Sequence, residues 1–388
     1  MNSDKTIYLD YAANTPVDKE VLNRFNEATT KYYGNPNSTH ELGIIAKNQI
    51  DIATNNIIKN FKEKYNIDDN MELIYTSGSS ESNNLAIKGL VRAYRENGKH
   101  IITTFLEHSS VSSPLTRLKE QGYEIDLLNI NQDGKVDLDH LKELLRKDTI
   151  LVSIASVDSE IGTVQPIEQI AKIVKDYPNC FLHVDCTQSI GKINMNLEDV
   201  DLISFAPHKF YGLNGFGGLL KKKELVFEPL IHGGTSSSIY RSGTPVTGQI
   251  LAMDKAVELA IQNQDSRFKY VENLNMTLRE KLKQYNKVQI NTICRENPYI
   301  LNLSINGVKA VDFKEELEKF GVCISIKSAC SVTISPSRSV MAITRDRKRA
   351  LSSWRISLSH LVTIEEIEEF IKIFNVCYYN IIEEGNEN

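Results

Sequence analysis

The chain has 388 residues, 41% hydrophobic and 24% charged, with a formal net charge of -5. That balance is ordinary for a globular protein, is long enough for two domains, and carries no basic field for nucleic acid. No uninterrupted apolar run approaches the ~20 residues that span a bilayer, and the opening residues Met1 to Tyr8 lack the apolar centre of a signal peptide. A cytoplasmic protein without a direct nucleic-acid or membrane partner is therefore the expectation.

From about residue 70 the pattern alternates. Glu72–Thr76 reads as a strand and Glu81 to Glu96 as a helix. His100 to Thr104, Tyr123 to Leu128 and Thr149 to Ala155 read as strands, with helices near 109–121 and 137–147. Pro166 opens a further helix, and Cys180 to Asp185 and Asp201 to Ala206 are further strands. This order predicts an α/β domain with a mostly parallel central sheet covered by helices. From about 250 long helical patterns follow (250–262, 265–285). Then come a strand near Tyr299 to Ile305, a helix from Val311 to Phe320, and a last helix from Thr363 to Tyr378. The expected division is a large domain over 15–255 and a smaller α+β domain from 1–14 with 256–388. The basic runs Lys221 to Lys223 and Arg345 to Arg349 read as solvated faces.

Ligands of such sheets sit at the C-terminal ends of the strands. Ser77-Gly-Ser-Ser80, His108, Asp185 and Lys209 all fall near such ends. Lys209 follows a strand and precedes a glycine-rich turn, a setting in which an amine can anchor an aldehyde cofactor; pyridoxal phosphate requires such a lysine. The hydroxyls at 77–80 suit a phosphate at a helix start, or equally an ordinary serine cap. Asp185 suits a ring nitrogen that must stay protonated, or a helix cap. His108 suits stacking and proton movement, or a structural role. The six cysteines, Cys180, Cys186, Cys294, Cys323, Cys330 and Cys377, include no Cys-x-x-Cys pair, so free thiols are expected and no metal site. Cys330 differs from the others in lying in a small, polar stretch.

Taken together, several runs resemble the NifS/IscS-like cysteine desulfurases. They are Tyr8 to Pro16, Tyr33 to Ser38, Thr76 to Ala86, Glu107-His108, His183 to Ser189, His208 to Gly212, Arg241 to Thr244, Ser328-Ala-Cys330 and Ser352 to Ser357. They fall in family order over nearly the whole chain. The long stretch from Cys330 to Arg355 is that of this group rather than of the shorter-looped SufS-like group. The resemblance implies a class V, fold-type I pyridoxal 5'-phosphate enzyme, a homodimer with its sites at the subunit interface. It implies that Lys209 binds the cofactor and moves the substrate α-proton, that Asp185 pairs with the pyridinium nitrogen, and that Gln188 bonds the phenolic oxygen. His108 would stack on the ring. Ser79, Ser80, Ser204 and His208 would hold the phosphate, with Thr244 reaching the phosphate of the neighbouring subunit. Arg355 would clamp the carboxylate of L-cysteine, and Cys330 would take its sulfur as a persulfide, leaving L-alanine. The sulfur would pass to an acceptor such as an iron–sulfur scaffold or a tRNA-thiolation enzyme.

The resemblance breaks at Val157 to Gly162, where Asp158 and Ser159 stand for two asparagines, the second a cofactor contact. It breaks again at 235–238 and in the Cys330 stretch, where serine replaces a common glutamate. A selenocysteine lyase, a related aminotransferase and a weakly active paralogue that binds partners are the competing readings.

Overall fold

The computed structural model describes residues 6–234, 238–326 and 335–384. Seven strands form one sheet, in the order Met71–Thr76, Gly217–Lys222, Leu202–Phe205, Phe181–Asp185, Thr149–Ala155, His100–Thr103 and Glu124–Leu127. The last five run parallel. Gly217–Lys222 is antiparallel to both of its neighbours. The central strands are mostly apolar, as burial on both faces demands: every residue of Leu202–Phe205 is buried, and Thr149–Ala155 is buried up to Ile154.

Gly217–Lys222 departs from the glycine-rich turn expected there. Its glycines serve close packing. A Cβ at Gly217 would lie 2.6 Å from the Gly78 backbone, and one at Gly218 would lie 2.5 Å from the Phe205 ring. The strand also overturns the solvated reading of the basic run. Lys221 points into the protein and is buried. Its ammonium pairs with Glu72 on the adjacent strand, donates to the Leu225 carbonyl at 2.8 Å, and lies 4.9 Å from the Tyr240 ring centroid. Lys222, on the opposite face of the pleat, pairs with Asp201 at 2.9 Å.

The helix expected over 81–96 begins at Ser79, widens to a π-helical turn over Leu85–Gly89, and ends at Ala93. At the turn the Gly89 carbonyl accepts from Glu228 N at 2.9 Å. Two helices precede the alternating region, Lys19–Lys31 and Glu41–Tyr65. The second buries Ala46, Ala53, Ile57, Phe61 and Tyr65, a helical stripe facing Thr247–Gln262 and the sheet. Its other side leaves Leu42, Ile44 and Ile52 exposed.

A second core lies around the antiparallel strands Val288–Ile290, Ile300–Ile305 and Ser353–Ser357. Trp354, Phe313 and Phe374 pack together within it in tilted and edge-on pairs, with ring centroids 5.3 to 6.1 Å apart. The short strand Ile7–Tyr8 joins this body by pairing with Val322–Cys323. Thr247–Gln262 contributes Ala256, Val257 and Ala260 to the first core, whereas Gln264–Leu282 contributes Val271, Leu274 and Leu278 to the second. The chain thus passes from one core to the other at Asn263, between these two helices. Among the described residues no helix is long and apolar enough to cross a membrane.

Candidate active site

The C-terminal ends of the parallel strands open into a cavity of about 260 Å³. Of the residues expected at the site, Ser79, Ser80, His108, Ser159, Asp185, Gln188, His208 and Lys209 all line it. Lys209 arrives on a short 3-10 turn, Pro207–Lys209, just past the Leu202–Phe205 strand. Its Nζ donates to the carbonyls of Ala12 at 2.9 Å and Ala13 at 2.6 Å. The amino-terminal segment, which crosses from the second core, thereby meets the lysine of the first.

Asp185 ends its strand, and its carboxylate is held from two sides. Asn83 Nδ2 donates to Oδ2 at 2.7 Å and Thr187 N to Oδ1 at 2.9 Å. The carboxylate is thus oriented before any ligand arrives. His108 caps Ser109–Glu120, its Nδ1 accepting from Ser110 N at 3.1 Å. Burial and the Lys209 charge hold its pKa below the ordinary value, against the pull of Asp185. A neutral imidazole whose Nδ1 accepts carries its proton on Nε2. His208 is likewise pushed down to about 4, first by burial and then by Lys209 and Lys192. At the opposite wall, Gly78 to Ser80 present hydroxyls and the amides of a helix start, while Glu81 accepts from Ser77 N at 2.6 Å and pairs with Arg241 at 2.9 Å.

Three expected residues are not brought to the cavity wall. Ser204 is fully buried within its strand and bonds His183 Nε2 at 2.9 Å, so its hydroxyl is already committed in the sheet interior. It is not among the residues that line the cavity, so the structure does not bring it to a phosphate there. Thr244 lies exposed at the surface. Arg355 is 2% exposed on Ser353–Ser357; Nη1 donates to the Ser159 carbonyl at 2.6 Å and Nη2 pairs with Asp10 at 2.8 Å. Its Nε has no partner among the described residues. The guanidinium thus stands one residue behind the cavity wall, clasped by Asp10. Cys330 and Thr235 to Ser237 lie outside the described residues.

The altered segment at 157–162 has a structural answer. Asp158 is 2% exposed. It accepts from Glu160 N at 2.9 Å, Ile161 N at 2.5 Å and Ser339 Oγ at 2.9 Å. Its neighbour Glu160 accepts from Ser337 Oγ at 2.5 Å. Burial, reinforced by Glu160, raises the Asp158 pKa to about 6. The segment therefore fastens Arg338–Thr344 beside the cavity while Ser159 faces into it.

Several contributors escape a sequence reading. Asn83 lies one helical turn beyond Ser79, a spacing that places it on the same face. Glu107, beside His108, is buried; Thr104 Oγ1 and Ala155 N donate to it at 2.8 and 3.1 Å, and burial raises its pKa to about 8. Lys192 sits four residues after Gln188 and donates to its Oε1 at 3.1 Å. The backbone carbonyls of Ala12 and Ala13 carry no residue-type signal at all.

Residues 7–370 match the family model described as aminotransferase class-V. The chain is 39% identical over 369 residues to a protein named cysteine desulfurase IscS from Dictyoglomus turgidum, covering 94% of this chain and 92% of that one. It is 38% identical over 378 residues to one of the same name from Haemophilus ducreyi, covering 95% and 91%. Among solved structures it is similar to a NifS-like protein, with a TM-score of 0.87 at 31% identity over 97% of this chain and 100% of that one. A NifS-like protein from Rickettsia africae gives a TM-score of 0.84 at 28% identity, covering 96% and 99%.

Proposed function

The chain belongs to the class-V aminotransferase family, among the IscS/NifS-like cysteine desulfurases, and from that membership we propose that it converts L-cysteine to L-alanine and passes the sulfur onward. The cofactor of this fold-type I family is pyridoxal 5'-phosphate, and the donor set of the cavity fits it. An amine, an oriented carboxylate and a serine-rich helix start share one wall system, which is what an aldehyde, a ring nitrogen and a phosphate require. The alternative readings as a selenocysteine lyase, an aminotransferase or an inactive paralogue are not favoured by relatives that bear the desulfurase name.

Lys209 would bind the cofactor, Asp185 would face its ring nitrogen, and Gln188 its phenolic oxygen. Ser79, Ser80 and His208 would hold the phosphate. The cofactor, when bound, supplies an electron sink that makes the substrate α-carbon acidic. Lys209 Nζ is then the base that takes the α-proton, and its two carbonyl partners fix where that nitrogen sits. His108, neutral with its proton on Nε2, can donate to the sulfur side of the substrate without adding charge. Arg355 would receive the substrate carboxylate in exchange for its contact with Asp10. The Cys330 thiolate would attack the substrate sulfur to form a persulfide; the carbon–sulfur bond breaks with its electron pair left on the carbon side, the former β-carbon takes up the proton that the thiol gave up on ionising, and Lys209 returns the α-proton to complete alanine.

The working form is a homodimer. Tyr33 (71% exposed), Ile44, Ile52 and Ile239 (64%) leave apolar surface uncovered on one chain, and residues 37–54 border the same surface groove as Ser238 and Pro245, beside Thr244. The sulfur acceptor is a second protein, such as an iron–sulfur scaffold or a tRNA-thiolation enzyme, in the cytoplasm.

The reading rests above all on Lys209 Nζ standing in one cavity with the Asp185 carboxylate. Its test is the visible spectrum of the purified protein before and after adding L-cysteine, with alanine measured alongside. A yellow protein whose spectrum changes as alanine appears is expected. A colourless Lys209→Ala protein should form none. Full colour in that variant, or a wild type inert to cysteine, overturns the reading.

A further inference from the structure

We propose that Lys192 is a positioning residue that fixes the orientation of the Gln188 amide, so that Gln188 offers the cofactor oxygen a hydrogen-bond donor and never an acceptor. The inference rests on the desulfurase reading and deepens it.

Lys192 lies in the turn that follows the Phe181–Asp185 strand. The turn is pinned on both sides. Gly191 adopts φ +72°, donates its N–H to Tyr65 Oη at 2.8 Å, and packs so that a Cβ there would lie 2.7 Å from Ala260 Cβ. Lys192 N donates to the Ser189 carbonyl at 3.0 Å. The side chain is buried, 8% exposed. Its Nζ donates to Gln188 Oε1 at 3.1 Å, and among the described residues no carboxylate lies within ion-pair distance. The charged groups that face it are the cations Lys209 and Arg355. Burial, then those two charges, lower its pKa to about 7.

A buried amine without a carboxylate is costly, and an apolar side chain of the same length would be more stable there. Its presence there points to a task. An ammonium or amine donor has only one way to meet a carboxamide, through the oxygen. With Oε1 held by Lys192, the amide nitrogen of Gln188 must turn the other way, and it does: Nε2 donates to the Ala12 carbonyl at 2.9 Å. That same carbonyl accepts from Lys209 Nζ at 2.9 Å. Lys192, Gln188, Ala12 and Lys209 thus form one continuous chain of hydrogen bonds. Gln188 lines the cavity, and with Oε1 engaged by Lys192 and one N–H by Ala12, the second N–H of its amide is the donor left for a ligand. A donor at the phenolic oxygen favours the ionised oxygen and lowers the pH at which the bound chromophore loses its proton.

The experiment is a pH titration of the visible band of the cofactor-loaded enzyme, without substrate. Lys192→Met, close in volume, removes the donor and is expected to raise the titration midpoint by about one pH unit. Gln188→Leu should raise it similarly, and the double variant should match Gln188→Leu alone, because Lys192 acts through Gln188. The Met variant without cofactor should unfold at the same or a higher temperature than wild type. Lys192→Gln, a neutral donor, is the second variant and should show about half the Met shift. An unchanged midpoint in Lys192→Met, or additive shifts in the double variant, overturns the assignment while leaving the desulfurase reading intact. A wild-type protein that takes up no cofactor overturns both.

Discussion

Glu107 and Asp158 are buried carboxylates whose charge the protein does not fully compensate. Glu107 shows the consequence for stability. Its folded pKa, about 8, lies above the ordinary 4.5, so the native state keeps a proton that the unfolded chain has lost between those values. Its contribution is therefore complete at acid pH and falls away as pH rises through that window. Glu107→Gln never ionises. Urea unfolding should show the variant gaining on wild type by roughly 4 kcal/mol between about pH 5 and about pH 8.5. Parallel pH profiles would contradict this. Single residues were legible where their chemistry is rare: Lys209, Asp185 and His108 stand out by type and by position after strands. Burial was not legible, because a Glu, Asp or Lys letter does not say which way its side chain points. Lys221 and Asp158 were misjudged or left open for that reason, and Ser204 was assigned to a cavity its hydroxyl does not face.

The Gly217–Lys222 strand and the 77–80 corner depend on each other. A methyl group at Gly217 would press on the Gly78 backbone, which has no flexible atom to yield. Gly217→Ala should cost about 1–3 kcal/mol of strain, displace Ser79 and Ser80, and weaken cofactor binding by at least about tenfold in a fluorescence titration. Wild-type affinity would show that the corner is softer than the packing implies. A second link joins loops: Ser339 Oγ and Ser337 Oγ close on Asp158 and Glu160. Ser339→Ala leaves a buried carboxylate one donor short and should cost about 1–3 kcal/mol in urea unfolding, whereas a cost near zero would mean that water replaces the hydroxyl. The alternating elements were legible because buried parallel strands are short, mostly apolar runs separated by helical patterns. Lys19–Lys31 and Glu41–Tyr65 were not, since their apolar positions include alanines and polar residues that dilute the helical period. The glycines of Gly217–Lys222 read as a turn because nothing in the letters shows a neighbour pressing on them.

Two cores share one site: the first supplies Lys209 and Asp185, and the second supplies Asp10, Arg355 and the strand that carries Ala12 and Ala13 to the lysine. Such a site holds together only while the cores stay docked. The uncovered apolar residues on 41–65 and 239 extend the same logic to a second copy. Sedimentation should give a dimer, and Ile44→Asp with Ile52→Asp should shift it to monomer and reduce turnover; a monomeric wild type with full activity would contradict the homodimer. At this scale the sequence was most informative, since motif order over the chain carries family and fold together, while the hand-over at Asn263 depends on which core each helix face touches.

The central claim is that sulfur leaves cysteine onto Cys330. A single-turnover reaction with excess enzyme and limiting L-cysteine, followed by alkylation and peptide mass analysis, tests it most directly. One alanine for each sulfur found on the Cys330 peptide is the expected result, with none on Cys180, Cys186, Cys294, Cys323 or Cys377. Alanine formed with no added sulfur on Cys330, or undiminished in Cys330→Ala, would contradict it.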